Sequence, residues 1–239
     1  MKRLLGMLVV TLFSSVTVAA ESGPPLDPVY VNLSDKASLQ RGARLFVNYC
    51  LSCHSAAYMR YNRMGEDLGI SNGVLKENFL FATDKAGDLM ISNMPAENAK
   101  KWFGVVPPDL TLAAKVRKPD WIYTYLRSFY LDEYTASGWN NTLFENVAMP
   151  HVLYGLQGTQ RLTGTDSEAK KPEFELVVQG TMTPEEYDNA MRDLTNFMVY
   201  LAEPIKLKRH TVGVFVIIFL MILMIPAYLL KKEYWRDIH

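Results

Sequence analysis

The chain has 239 residues, of which 49% are hydrophobic and 21% charged, and its formal net charge at pH 7 is zero. These values, with 14 Gly and 12 Pro, are typical of a folded globular protein and exclude a disordered or collagen-like chain. Residues 21–207 alone carry 18 Lys and Arg against 23 Asp and Glu, a net charge of −5. An acidic domain of this kind argues against binding to nucleic acid and favours a basic partner.

The N-terminal residues have the layout of a secretory signal peptide. Lys2 and Arg3 precede an apolar run, and a pair of small residues ending at Ala20 stands at the expected cleavage point. We therefore expect the signal peptide to cover residues 1–20 and the mature chain to begin at Glu21.

An uncharged segment near the C-terminus predicts a membrane anchor. Residues 211–230 are twenty residues without a charge. As a helix with about 1.5 Å rise per residue, they would span the roughly 30 Å core of a bilayer. The predicted organisation is an exported domain at residues 21–207, a transmembrane anchor at residues 208–230 and a cytoplasmic tail at residues 231–239. The exported domain would lie in the periplasm, on a bacterial inner membrane.

The predicted elements begin with a helix that leads into the cysteines of the chain. Ser34 and Asp35 can cap this helix, and apolar residues then recur at helical spacing up to Cys50. Residues 61–106 are punctuated by Gly and Asn and have no sustained hydrophobic period, which predicts loops and brief helices.

Residues 119–130 predict a second helix, with proline at its first position. Residues 155–172 are polar and indicate a surface excursion, and residues 174–179 favour a short strand. The last soluble helix has the clearest signals, from a capping box that begins at Thr183 to a stop at Pro204. The expected fold class is mainly α, with a short β element and one C-terminal transmembrane helix.

Both cysteines of the chain lie in the sequence Cys50-Leu51-Ser52-Cys53-His54, the Cys-x-x-Cys-His signature of c-type haem attachment. On a helical turn, residues three apart face the same way, so each sulfur can reach one vinyl group of the same porphyrin. His54 can then bind the iron through its imidazole. The motif predicts one covalently attached haem c.

Other uses of this cysteine pair are a redox dithiol, a structural disulfide and half of a zinc site. Zinc would require a second ligand pair, but the chain has no other Cys, and its remaining His residues are His151, His210 and His239. A redox dithiol would need a βαβ setting, which the sequence does not predict. Together with the export signal, the motif favours haem.

The second axial ligand of the iron is not determined by the sequence pattern. Met94 and Met149, each followed by Pro, are the main candidates, because Met191 and Met198 fit the core of the last helix. Spacing alone slightly favours Met94, since small single-haem cytochromes usually place this ligand within several tens of residues of the attachment motif. His151 is a third candidate, although a lone His beside an apolar run is usually structural.

Several further motifs occur together and in order. They are Leu39-Gln40-Arg41-Gly42 before the haem motif, Pro107-Pro108-Asp109-Leu110 and Met149-Pro150 after it, and a helix ending Ala202-Glu203-Pro204 before a single anchor. In this combination the sequence resembles the cytochrome c1 family, the haem c subunits of cytochrome bc1 complexes, over nearly the whole mature chain. The resemblance implies a class I cytochrome c-like haem domain with long loops.

The resemblance also implies roles for individual residues. His54 and Met149 would be the axial ligands, and Met94 would not be one. Arg117 would reach a haem propionate, and Pro108 would pack near the porphyrin. Without the resemblance, Arg117 would be interpreted as a solvated basic residue.

The function implied by the resemblance is electron transport in the respiratory chain. A Rieske iron–sulfur protein would reduce the haem and a soluble cytochrome c would oxidise it, with cytochrome b and the lipid bilayer as the other partners. The subunit would not be an enzyme on its own, because two protein ligands leave no open position on the iron. The alternatives are another membrane-tethered c-type cytochrome that serves an oxidase, and a haem peroxidase.

Overall fold

The computed structural model describes residues 24–165 and 171–238, so the predicted signal peptide lies outside the described residues. Helices occupy Lys36–Leu45 (α1), Tyr61–Leu68 (α2), Asn72–Asn78 (α3), Ala96–Phe103 (α4), Ala113–Arg117 (α5), Pro119–Arg127 (α6), Tyr154–Gln157 (α7), Pro184–Ala202 (α8) and Lys206–Tyr234 (α9). Strands occupy Ala56–Arg60 (β1), Leu89–Met90 (β2), Phe129–Leu131 (β3), Trp139–Asn141 (β4), Gly158–Thr165 (β5) and Pro172–Gln179 (β6). A π-helical turn at Phe46–Cys50 extends α1, and a 3-10 turn at Arg236–Ile238 follows α9.

Helix α8 forms where its capping signals predict it. The Thr183 hydroxyl accepts a hydrogen bond from the Glu186 N–H, and the Glu186 carboxylate accepts one from the Thr183 N–H, so the capping box is present. Pro184 occupies the first turn, and the helix ends before Pro204. Its apolar stripe is buried and consists of Tyr187, Met191, Leu194, Met198 and Leu201. The predicted helix and the core position of its methionines are confirmed.

Helix α1 crosses α8 at a glycine, and this crossing lies in the hydrophobic core. A Cβ added at Gly42 would lie 2.7 Å from the Cβ of Phe197 and would overlap the carbonyl oxygen of Asp193. One turn later, the rings of Phe46 and Phe197 pack with their centroids 5.5 Å apart. The absence of a side chain at residue 42 therefore allows the two helices to approach each other closely.

Polar contacts reinforce the crossing on one side. The Asp35 carboxylate caps α1 by accepting a hydrogen bond from the Ser38 N–H, as predicted. The Ser38 hydroxyl donates to the Asp193 carboxylate at 2.6 Å, and Arg41 forms an ion pair with the same group at 2.6 Å. Asn196 donates to the Ser38 hydroxyl at 3.0 Å. The buried Asp193 carboxylate is thus satisfied by partners from α1.

Within the described residues the strands form three antiparallel pairs, β1 with β2, β3 with β4 and β5 with β6. Two predictions are corrected here. The helix predicted over residues 119–130 ends at Arg127, because Phe129–Leu131 pairs with Trp139–Asn141. The surface excursion predicted over residues 155–172 contains α7 and β5, since β6 offers β5 a partner for its backbone hydrogen bonds. The strand predicted directly after it is confirmed as β6.

The remaining elements agree with the expected fold class. Residues 61–106 form the short helices α2 to α4, the two-residue strand β2 and loops. In the described part of the chain, Lys208–Tyr234 within α9 is the one helical segment that is long and apolar enough to cross a membrane. The apolar residues of this segment are not buried against the rest of the protein. The structure is therefore mainly α, with a few short strands and one apolar C-terminal helix.

The Gly42→Ala substitution is expected to lower the free energy of unfolding by about 1–3 kcal/mol, because the added methyl group overpacks the crossing of α1 and α8. Gly73→Ala is the matched control, since a Cβ at Gly73 in α3 meets no atom within 4 Å, and it should be neutral or slightly stabilising. Chemical denaturation of the full chain in detergent, followed by tryptophan fluorescence, measures both. Equal effects of the two substitutions would contradict a tight crossing at Gly42.

Candidate haem-binding site

The two cysteines lie on a single tight turn that continues from α1, and we call residues 50–54 the attachment turn. The π-helical turn Phe46–Cys50 leads into it. The N–H groups of Cys53 and His54 both donate to the Cys50 carbonyl oxygen, at 3.0 and 2.8 Å. These hydrogen bonds hold the two thiols three residues apart on one turn, which is the arrangement that attachment to one porphyrin requires.

Both thiols are free in the structure, so Cys50 and Cys53 form no disulfide. Burial, together with the neighbouring Cys53, raises the pKa of the Cys50 thiol to about 12. Among the described residues there is no group of three or more His, Cys, Asp or Glu that could hold a metal ion, so a zinc site lacks its other ligands. The donor set fits haem c, which needs two reduced thiols and an adjacent imidazole.

The His54 ring is oriented by a backbone carbonyl. Its Nδ1 lies 2.7 Å from the carbonyl oxygen of Pro108. Because a carbonyl oxygen only accepts hydrogen bonds, Nδ1 carries the proton and donates, which leaves the lone pair on Nε2 available to a metal ion. Burial lowers the pKa of His54, against the opposing effects of this hydrogen bond and of the Asp109 charge. The imidazole is thus neutral at pH 7, in the tautomer that can bind iron through Nε2.

Residues 107–111 are tied to the attachment turn, and this fixes the carbonyl that orients His54. The Leu110 N–H donates to the Ser55 carbonyl at 2.8 Å. The Asp109 carboxylate accepts hydrogen bonds from the N–H groups of Ala57 and Thr111, each at 2.8 Å. Asp109 therefore fastens this segment, a role that the sequence motif alone does not indicate.

Met149 lies on a different part of the fold from the attachment turn. Its side chain is half-buried, and its Sδ accepts a hydrogen bond from the Tyr125 hydroxyl at 3.4 Å. The buried Asn141 side chain supports this region, because its Nδ2 donates to the Tyr125 carbonyl at 2.8 Å and its Oδ1 accepts from the Leu143 N–H at 2.9 Å. The thioether is thus held beside α6 and the β3–β4 hairpin.

Met94 lies close to the attachment turn itself. The Ser92 hydroxyl donates to the Ser52 carbonyl at 2.7 Å, and the Ser92 N–H donates to the Ser55 hydroxyl at 3.0 Å. The Met94 N–H then donates to the Ser92 hydroxyl at 3.2 Å. Backbone and Ser92 contacts thus hold residue 94 next to the attachment turn.

His151 is packed as a core residue. It is 2% exposed, and its ring stacks on Phe129 with centroids 4.9 Å apart and an interplanar angle of 8°. Trp139 meets the same ring edge-on at 5.1 Å. Burial lowers the pKa of His151 to about 4, despite the opposing contact with Gln157. The His151 ring is thus packed against two aromatic rings, as in a core residue.

Three aromatic residues on and after α6 form a continuous surface beside Met149, and we call Trp121, Tyr125 and Phe129 the aromatic wall. Trp121 and Tyr125 stack with centroids 4.9 Å apart at 11°, and Tyr125 meets Phe129 edge-on at 5.1 Å. The exposed Arg117 lies at one end, with its guanidinium carbon 4.9 Å from the centroid of Trp121. This wall was not predicted from the sequence, although the spacing of four residues between Trp121 and Tyr125 places these two side chains on one helix face.

Comparison with known proteins shows the family to which the chain is similar. Residues 29–238 match the Cytochrome C1 family. The chain is 48% identical to cytochrome c1 of Allochromatium vinosum, with 100% of both chains covered, and 48% identical to the ammonia monooxygenase gamma subunit of Nitrosomonas europaea, with 99% of this chain and 100% of the relative covered. It is 27% identical to cytochrome c1 of Rhodospirillum rubrum, over 85% of this chain and 83% of the relative.

The purified chain, expressed with a c-type haem maturation system, is expected to keep its haem through denaturing electrophoresis, since thioether bonds survive unfolding. The Cys50→Ala, Cys53→Ala double variant should lose all haem stain from the band. Ser52→Ala, on the same turn, should retain it. Haem stain that is absent from the unmodified chain would contradict covalent attachment.

Proposed function

Because the chain belongs to the cytochrome c1 family, we propose that it is the membrane-anchored haem c subunit of a respiratory bc1 complex and carries electrons from a Rieske iron–sulfur protein to a soluble cytochrome c. Proteins of this family bind one covalently attached haem c and belong to bc1 complexes. The observation that carries the proposal is the attachment turn, with two free thiols and an imidazole oriented by the Pro108 carbonyl, in a chain that matches the family over residues 29–238.

Each side chain of the site has one proposed task. Cys50 and Cys53 would attach the porphyrin, His54 Nε2 and Met149 Sδ would be the axial ligands, and Pro108 would pack near the ring while its carbonyl orients His54. When bound, the haem would supply a one-electron couple. Two protein ligands would leave no open position for a substrate, so the subunit would transfer electrons and would not be an enzyme on its own.

Arg117 is the proposed partner of a haem propionate. Its side chain is exposed and lies over Trp121, at one end of the aromatic wall that leads to Met149. A guanidinium remains charged at every physiological pH and offers several donors in one plane, which suits a carboxylate. Stacking on the indole leaves those in-plane donors free.

The proposed location is a bacterial inner membrane, crossed once, with the haem domain in the periplasm. The apolar segment of α9 has the length and composition of such an anchor. The signal layout of residues 1–20 supports export of the preceding domain. The lipid bilayer and cytochrome b are then the partners of α9, and residues 231–239 lie in the cytoplasm.

The proposed electron acceptor is a basic soluble cytochrome c. Residues 21–207 carry a net charge of −5. Ion pairs such as that of Arg127 with Asp27 and Asp188 neutralise charges locally but leave the excess of carboxylates over basic groups unchanged. Haem propionates add further negative charge. An acidic domain attracts a basic partner over about a Debye length, 8–10 Å at physiological salt, and so raises the encounter rate.

The junction with α9 argues against a shuttle on a flexible tether. Helix α8 ends at Ala202 and α9 begins at Lys206, so residues 203–205 are the whole connection. The Lys206 N–H donates to the Glu203 carbonyl at 3.1 Å, and Arg209 forms an ion pair with the Glu203 carboxylate. A tether needs a longer, Gly- or Pro-rich segment. A peroxidase is also disfavoured, because His151, which would have to act as the distal acid–base group, is buried between aromatic rings.

Met149→Leu is expected to abolish the charge-transfer band near the red end of the oxidised spectrum and to lower the reduction potential, since the thioether ligand is lost. Met94→Leu is the matched control and should leave both unchanged. Spectra and potentiometric titrations of the full chain in detergent measure the two effects. The reverse result would assign the ligand to Met94. An unchanged band in both variants would point to another methionine, and absence of the band from the unmodified chain would point to His151.

Copurification tests the assignment to a complex. An affinity tag after His239 is expected to recover a cytochrome b and a Rieske protein in mild detergent, and the bound haem should be reduced on addition of a quinol. A chain with Lys208–Tyr234 deleted should be recovered alone, because α9 is the proposed contact with the membrane subunit. Recovery with a terminal oxidase, or with an ammonia-oxidising enzyme as the name of one relative would suggest, would contradict the proposal.

A further inference from the structure

The hydroxyl of Tyr125 is directed at the proposed ligand atom of Met149. The Oη–Sδ distance is 3.4 Å, which is within the range of hydrogen bonds to sulfur. A phenol is protonated at neutral pH and a thioether has no proton to give, so Tyr125 is the donor. A thioether sulfur has two lone pairs, and one can bind iron while the other accepts this hydrogen bond.

Packing holds the Tyr125 ring on several sides. Trp121 stacks on one face at 4.9 Å, and Phe129 meets the ring at 5.1 Å with an interplanar angle of 70°. The backbone is held as well, because the Asn141 amide donates to the Tyr125 carbonyl and Asn141 is 0% exposed. The position of the hydroxyl is therefore set by the aromatic wall and does not depend on the weak hydrogen bond alone.

We propose that Tyr125 is a positioning residue that raises the reduction potential of the haem by donating this hydrogen bond to Met149. The inference rests on the proposed function, in which Met149 is an axial ligand. The hydrogen bond would draw electron density from the sulfur, and the positive end of the O–H dipole faces that sulfur. Both effects disfavour the oxidised iron, which carries one more positive charge than the reduced iron, so the reduced form is favoured.

The test is Tyr125→Phe, which removes the hydroxyl and keeps the ring that packs against Trp121 and Phe129. At a fixed ambient potential, the ratio of reduced to oxidised haem is expected to fall by about two- to tenfold. This range corresponds to the net free energy that a typical hydrogen bond contributes. At about 59 mV per tenfold for one electron, this is a shift of roughly 20–60 mV to lower potential. The charge-transfer band should remain, because Met149 is still the ligand.

Tyr123→Phe is the matched control, since Tyr123 lies on the same helix and its ring faces Arg127 at 4.6 Å. It should leave the potential unchanged. Equal shifts in both variants, or no shift in Tyr125→Phe, would overturn the proposal. Loss of the band in Tyr125→Phe would also overturn it, because the hydroxyl would then be needed to keep Met149 in place and its role would not be to change the electron density of a bound sulfur. A band that survives in Met149→Leu would instead refute the ligand assignment, which keeps the two failures distinct.

Discussion

The close crossing of α1 and α8 at Gly42 is the constraint on which the haem site depends. Helix α1 runs directly into the attachment turn, so its position on α8 sets where the thiols and His54 lie. Helix α6 packs on the same α8, where the Tyr187 hydroxyl donates to the Leu126 carbonyl at 2.9 Å, and it carries the aromatic wall beside Met149. Helix α8 thus positions both the attachment turn and the aromatic wall. The distance between these two parts depends on how closely α1 approaches α8 at Gly42, which has no side chain.

Elements with local signals were predictable from the sequence, whereas contacts between distant segments were not. The capping box of α8 and the turn at Cys50 depend on residues a few positions apart, and both agree with prediction. The end of α6 was predicted too late, because pairing of β3 with β4 competes with helix only once the chain has folded. The Pro108 carbonyl and the Tyr125 hydroxyl reach the site across 54 and 24 residues, and no local pattern indicates such contacts.

Hydrogen bonds from neighbouring groups have opposite effects on the electron density of the two proposed axial ligands. His54 donates a hydrogen bond to the Pro108 carbonyl, which increases electron density on the imidazole and makes it a better donor to iron. Met149 accepts a hydrogen bond from Tyr125, which decreases electron density on its sulfur. In the proposed site, the first hydrogen bond would favour the oxidised iron and the second would favour the reduced iron. Weakening one or the other would therefore move the reduction potential in opposite directions without changing a ligand.

The three-residue connection between α8 and α9 has a consequence for how the site meets its partners. Electron tunnelling weakens steeply with distance, so a donor and an acceptor must each come close to the haem in turn. In the proposed assignment, a haem domain on so short a connection would not swing between them, since the Glu203–Arg209 ion pair and the packed α8 restrict its motion relative to α9. The proposed donor and acceptor would then move between successive transfers, and this domain would be the stationary relay.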